Sequence, residues 1–253
     1  MASIPQRADN SGKRNYMHIA DLLRKAIGTM DIDPSGRLPP ERELARILGV
    51  SRPTLREALI VLELRHEIEI RMGSGIYLIR SSSFARSRAA EPPPVDDSHA
   101  PRQQKLGDSP HDVNQMRYFL EGGVAAHAAR FIRAAQLKLL KKCLADMRAA
   151  AGRKKRLSAK VIADADRLFH TTLAATTDNY LLIQTLEYLF DQRYTPVADA
   201  MHKHYDDARS WASAIEEHQD IYDAITSRDP LQAQAAMQRH LARAHERLMP
   251  LIR

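Results

Sequence analysis

Residues 81–110, SSSFARSRAAEPPPVDDSHAPRQQKLGDSP, carry no apolar period, are rich in serine, proline and alanine, and include three prolines in a row, Pro92, Pro93 and Pro94. Such a segment cannot assemble a core; it reads as a linker, extended around the prolines. A chain interrupted in this way has to fold as two separately cored pieces. The expected layout is a disordered arm at 1–13, a small domain at 14–80, the linker at 81–110 and a larger domain at 111–250. The length of 253 residues fits one or two domains.

The small piece changes its period part-way. Ile19, Leu22, Leu23, Ala26, Ile27 and Met30 make a helical stripe. A second short helix follows Pro39-Pro40, with Leu44, Ala45 and Leu48 inward and Gly49 as its stop. Ser51 can cap a third helix with an inner face of Leu55, Ala58, Leu59 and Leu62. Then apolar residues alternate: Ile68 and Ile70, a Gly73-Ser74-Gly75 turn, Ile76 and Leu78. Helix, helix, short turn, helix, hairpin is the order of a winged helix-turn-helix.

The large piece shows helical periodicity alone. Its stripes are Leu137, Leu140, Leu144, Met147 and Ala151; Ile215, His218, Tyr222 and Ile225; and Met237, Leu241, Ala244 and Leu248. Asp229-Pro230 should open the last helix, and Pro196 should break or kink an earlier one. The expected fold class is mainly α: an N-terminal winged helix-turn-helix and a C-terminal all-helical antiparallel bundle of six or seven helices.

Several classes fall away on composition. No run of about 18 apolar residues exists, which argues against a membrane span. The one cysteine, Cys143, allows neither an intrachain disulfide nor a Cys-based zinc site and fits a reducing cytosol. Met1 to Arg14 lack the apolar stretch of a secretory signal, so a cytoplasmic protein is expected. The net charge of +7 suggests a polyanionic partner, but residues 13–80 carry 12 basic and 9 acidic groups, too even a balance to identify DNA by charge.

Spacing is more informative. Arg52 and Arg56 lie four apart at the start of the third helix, on a face opposite the apolar one, with Thr54 in the same first turn. In a helix-turn-helix this end reaches base edges, and arginine offers a two-pronged donor to guanine. Arg42, at the start of the preceding helix, is in reach of a phosphate or a base. The glycine-rich wing tip, with Arg71 beside it, is narrow enough for a minor groove. Singly, each arginine reads equally well as a solvated surface group; together they point to duplex DNA.

The segments LPPERELARILGVSRPTLREALIVLE and IEIRMGSGIYL resemble the DNA-binding domain of the GntR family of bacterial transcription regulators over residues 16–80. The resemblance implies DNA contacts from Arg42, Arg52, Thr54, Arg56 and the wing tip around Gly73. Two positions depart from the pattern. His66 stands where a glycine is usual, and Ile76 replaces a small or hydroxyl residue after the GSG turn.

In the large piece Asp166 and His170 are four apart and share a helix face, while His218 and His240 sit on the last two apolar stripes. If these meet inside the bundle, a carboxylate and three imidazoles would bind zinc, nickel, manganese or iron, with two octahedral positions left for water or a carboxylate. Read singly, each histidine is a hydrogen-bonded core residue and Asp166 the partner of an arginine. The stretch resembles the FadR-type ligand-binding domain, called FCD, through Asp166-Arg167-Leu168-Phe169-His170, Glu217-His218 and His240-Leu241, with Asn179 following the first pair. The resemblance implies a divalent metal on Asp166, His170, His218 and His240 that helps hold a carboxylate effector, with Arg117, Asn179 and Arg193 at the effector. Arg117 reads alternatively as a surface ion pair with Glu121.

The function expected is that of a dimeric repressor on a short palindromic operator, released or engaged by a small organic acid. The alternatives are a regulator that senses the metal ion itself, or a metal-dependent hydrolytic enzyme.

Overall fold

The computed structural model describes residues 15–32, 34–79, 106–151, 156–205 and 208–247. The arm expected at 1–13 and linker residues 81–105 lie outside that set. The chain divides near residue 102 into two compact units.

The small unit holds α1 (Asn15–Thr29), α2 (Glu41–Leu48), α3 (Arg52–Leu64), β1 (Ile68–Arg71) and β2 (Gly75–Leu78). The buried stripe of α1 runs through Tyr16, Ile19, Ala20, Leu23 and Ile27, while Leu22 faces outward. Gly49 ends α2 in the left-handed conformation, at φ 65°, and the Ser51 hydroxyl caps α3 by accepting from the Thr54 amide at 3.3 Å. From Leu55 to Leu62 every residue of α3 is buried, because α1, α2 and β1 all pack against it. A helix covered on several sides has no single solvent face in its middle, and that decides where Arg56 lies.

β1 and β2 pair antiparallel with Ile68 opposite Leu78 and Ile70 opposite Ile76, so Ile76, the second departure, is core. The far edge of β2 is taken by residues 36–38: Leu38 N–H donates to the Ile76 carbonyl at 2.9 Å and Leu78 N–H to Gly36 at 2.8 Å. The exit from α3 explains the first departure. Glu67 N–H reaches back to the Leu62 carbonyl at 2.9 Å, and His66 between them sits at φ 56°. This is the C-terminal helix cap in which glycine is favoured, since a Cβ is crowded there.

The large unit contains seven α-helices among the described residues: α4 (Pro110–Phe131), α5 (Ala134–Ala151), α6 (Arg156–Ala174), α7 (Tyr180–Asp191), α8 (Pro196–Tyr205), α9 (Ala208–Thr226) and α10 (Pro230–Arg247). Short 3₁₀ turns at Ala175–Thr177 and Gln192–Tyr194 precede α7 and α8. Pro196 is the first residue of α8, and Asp229 caps α10 by accepting from the Leu231 and Gln232 amides at 3.1 and 3.0 Å. α4 and α10 run antiparallel in close contact: Asn114 donates to the Leu241 carbonyl, and a Cβ on Gly122 would fall 2.9 Å from Gln238. The unit starts inside the stretch read as linker. Leu106 is buried, its carbonyl accepts from Val197, and Ser109 caps α4. Among the described residues no helix is long and apolar enough to cross a membrane.

His66→Gly should raise the stability of the small unit by about 0.5–1 kcal/mol, relief of the crowded Cβ outweighing the added freedom of the unfolded chain. Urea unfolding of the two proteins measures it; equal midpoints would show that His66 sits there without cost.

Candidate functional site

The DNA-reading residues expected at the front of α3 do not share one environment. Arg42 is exposed on α2, Thr54 is half-buried with its hydroxyl 2.8 Å from that of Ser51, and Arg52 keeps 40% of its side chain exposed. Gly73 is exposed at the wing tip at φ 73°. Arg71 is exposed beside it, paired with Glu69 at 2.8 Å and stacked 4.5 Å over the Tyr77 ring. Arg56 corrects the sequence reading. It is 1% exposed, not on an open face with Arg52, and its Nε donates to Glu41 at 2.7 Å. The four-residue spacing placed it opposite the apolar stripe, but α2 lies over that side.

In the large unit the structure brings Asp166, His170, His218 and His240 together, although the two last histidines come from other helices. One donor atom from each lies within 4.8 Å of the others, and all four residues are buried. Each imidazole gives its Nδ1 to an acceptor. His170 donates to Glu121, His218 to the Ala214 carbonyl at 2.6 Å, and His240 to Glu217 at 2.9 Å. These bonds select the tautomer in which Nε2 is a bare lone pair. The Nε2 atoms of His170 and His218 then face each other at 3.1 Å, and Asp166 Oδ1 is 3.0 Å from the second and 3.7 Å from the first. Ligands about 2.0–2.1 Å from one ion stand about 3–3.5 Å apart, so the donor set fits a divalent cation.

The electrostatics agree. Burial alone would push Asp166 up, but Arg193 and the imidazoles hold its carboxyl well below the usual range. His240 is kept well below the ordinary imidazole value by burial and by His218 and His170, which leaves it neutral and able to ligate. Burial opposes charge on His170 as well, yet Glu121 and Asp166 beside it raise it above the ordinary imidazole value. Glu121, despite burial, is brought to about 2 by Arg117 and His170.

A cavity opens beside the cluster, lined by Arg117, Asp166, Arg193, Trp211, His240 and Arg247 among others. Arg117 is no surface residue: its Nε donates to Glu121 at 2.5 Å, its guanidinium lies 4.1 Å over the Phe190 ring, and its buried Nη2 has no partner among the described residues. Arg193 binds Asp166 Oδ2 from the turn before α8. Asn179 is a second correction. It is exposed and caps α7, its carbonyl accepting from Leu182 N–H at 3.1 Å, and it does not line the cavity. His127 is also elsewhere, bonded to the Thr176 carbonyl.

Sequence reading quoted Glu217 in the Glu217-His218 motif without giving it a role, and it missed Arg247 altogether. Arg247 grips Glu217 with both Nη atoms, at 2.8 and 3.0 Å, and so orients the acceptor of His240. Its position seven residues after His240, on the same face of α10, was the available signal. Glu121 was noticed, but as a surface partner.

The FCD domain model matches residues 112–243, and the model of bacterial regulatory proteins of the gntR family matches residues 15–78. The chain is 28% identical to the Uxu operon transcriptional regulator of Escherichia coli, over 96% of this chain and 90% of that protein. It is 29% identical to the Uxu operon regulator of Haemophilus influenzae, over 98% and 87%. It is 31% identical to the Glc operon transcriptional activator of Escherichia coli, over 81% and 77%.

Arg56→Ala strands Glu41 partly unpaired and empties the space of a buried side chain. The small unit should lose about 3–5 kcal/mol against denaturant, far more than Arg52→Ala loses. Similar losses from both would mean that Arg56 is not the inner partner.

Proposed function

The chain belongs to the GntR family of bacterial regulatory proteins, a DNA-binding transcription regulator whose helical unit is an FCD domain, and from that premise we propose that it is a repressor controlled by a small carboxylate at a divalent-metal site. The observation that carries this reading is the trio of imidazoles with every Nδ1 engaged, whose Nε2 atoms meet Asp166 beside a cavity lined by the guanidinium-bearing Arg117, Arg193 and Arg247.

Asp166, His170, His218 and His240 would hold zinc, nickel, manganese or iron, a set typical of borderline ions. When bound, the ion supplies positive charge and Lewis acidity toward a carboxylate. The chain's own groups do the rest. Glu121 and Glu217 fix two imidazole rings through Nδ1, and Arg193 holds Asp166 in place. Arg117 lines the cavity and offers its guanidinium to a carboxylate, and Trp211 lines the same cavity. An effector there shifts the regulator only by binding one arrangement more tightly than the other. The arginines Arg117, Arg193 and Arg247 around that cavity favour an organic acid over the metal ion as the signal, and relatives named as operon regulators favour regulation over hydrolysis.

On the DNA side the proposed contacts are Arg42, Arg52, Thr54, Arg71 and the Gly73 tip, one small unit to each half of a short palindrome. A homodimer in the bacterial cytoplasm is the proposed working form. Its support is the exposed apolar residues Met116 and Phe119 on α4 and Tyr180, Leu181 and Tyr188 on α7, more than a monomer needs to show to water.

His218→Ala and His240→Ala should each lose stoichiometric metal by elemental analysis of the purified protein, with the wild type near one ion per chain; full retention in both would remove them as ligands. In a thermal-shift screen of small carboxylates on metal-loaded protein, an acid at 100 times its dissociation constant should stabilise by about 2.7 kcal/mol. Arg117→Ala should abolish that shift; an equal shift in both proteins rejects its contact.

A further inference from the structure

Glu41 sits at the first position of α2, 1% exposed, and each of its oxygens is taken by a different arginine of α3. Oε1 accepts from Arg52 Nε at 2.9 Å and Oε2 from Arg56 Nε at 2.7 Å. Arg56 is wholly inside, so it serves as the inner counter-charge that keeps the carboxylate buried. Arg52 is the outer partner, and its described bond to the protein uses Nε alone, on a side chain still 40% exposed. The planar guanidinium is thus pinned at one corner while its two Nη groups remain for a ligand.

We propose that Glu41 is a positioning residue for sequence reading: through its bond to Arg52 it aims the Nη pair of that side chain at one base of the operator. This rests on the reading of Arg52 as a base-contacting residue. The physical case is pre-organisation. A long arginine loses rotamer freedom when it docks, and a bond that already holds it in the docking pose lowers that cost. An end-on Nη pair also matches the two acceptors of guanine in the major groove. The sign of the effect separates this role from simple charge. Neutralising a carboxylate beside a polyanion should tighten all DNA binding by electrostatics alone. Loss of aim should instead weaken the specific complex and leave the non-specific one equal or tighter.

The test uses the full chain and, as probe, the duplex that the wild-type protein enriches from a random-sequence library, its single-base variants, and poly(dI-dC) as non-specific competitor. Wild type, Glu41→Gln, Arg52→Ala and the double variant are titrated at fixed salt. Glu41→Gln should weaken the selected duplex about tenfold, flatten discrimination at the base position that Arg52→Ala also flattens, and leave poly(dI-dC) binding no weaker. The double variant should bind as Arg52→Ala alone does, because Glu41 has nothing left to aim. Should Glu41→Gln fail to fold, the same comparison is made in an Arg56→Met background, which leaves no unpaired charge inside. Additive losses, or Glu41→Gln tightening both kinds of DNA, overturn the role of Glu41 alone. If Arg52→Ala changes nothing, the reading of Arg52 falls first and the positioning role with it.

Discussion

A carboxylate taken out of water has to be shared between positive groups, and in both units that requirement places the functional side chains. Glu41 is divided between Arg52 and Arg56, Glu121 between Arg117 and His170, Asp166 among Arg193 and the imidazoles, and Glu217 between Arg247 and His240. In each case two or more cationic or imidazole groups converge on one buried carboxylate. Glu41, Glu121 and Glu217 hold other groups in place, whereas Asp166 is itself one of the four clustered donors.

This arrangement links packing to function within the large unit. α6 contributes two of the donors, Asp166 and His170, α9 and α10 one each, and α4 the supporting Glu121, so the bundle must be assembled before the four donors meet. The close approach of α4 and α10 at Gly122 brings the Arg117–Glu121 pair to the side of the cluster and cavity. In the small unit, covering α3 on several sides gives the helix the rigidity a reading head requires, and it also costs the chain one exposed arginine.

Most local features were legible. The change from helical period to alternation marked the wing, and Ser51, Gly49 and Asp229 marked helix ends; His66 was visible only as a departure from the usual glycine, and its left-handed cap geometry came from the structure. Arg56 was misplaced because periodicity says which residues share a face but not what lies against it, whereas Asn179 was assigned to the effector by family resemblance alone. α2 covers the face carrying Arg56, while Asn179 spends its side chain on the Leu182 amide and does not line the cavity.

The sequence alone determined the division into two cored units, the type and order of their elements, and the residue types able to hold a divalent ion, because these follow from local spacing and turn chemistry. Tertiary structure alone decided which of those groups meet, which tautomer each imidazole takes and which arginine stays in water. His170 and His218 are 48 positions apart in the chain yet 3.1 Å apart in space. A distance of that kind is set by how helices pack, through the sum of many weak contacts, and no periodicity within a single helix encodes it.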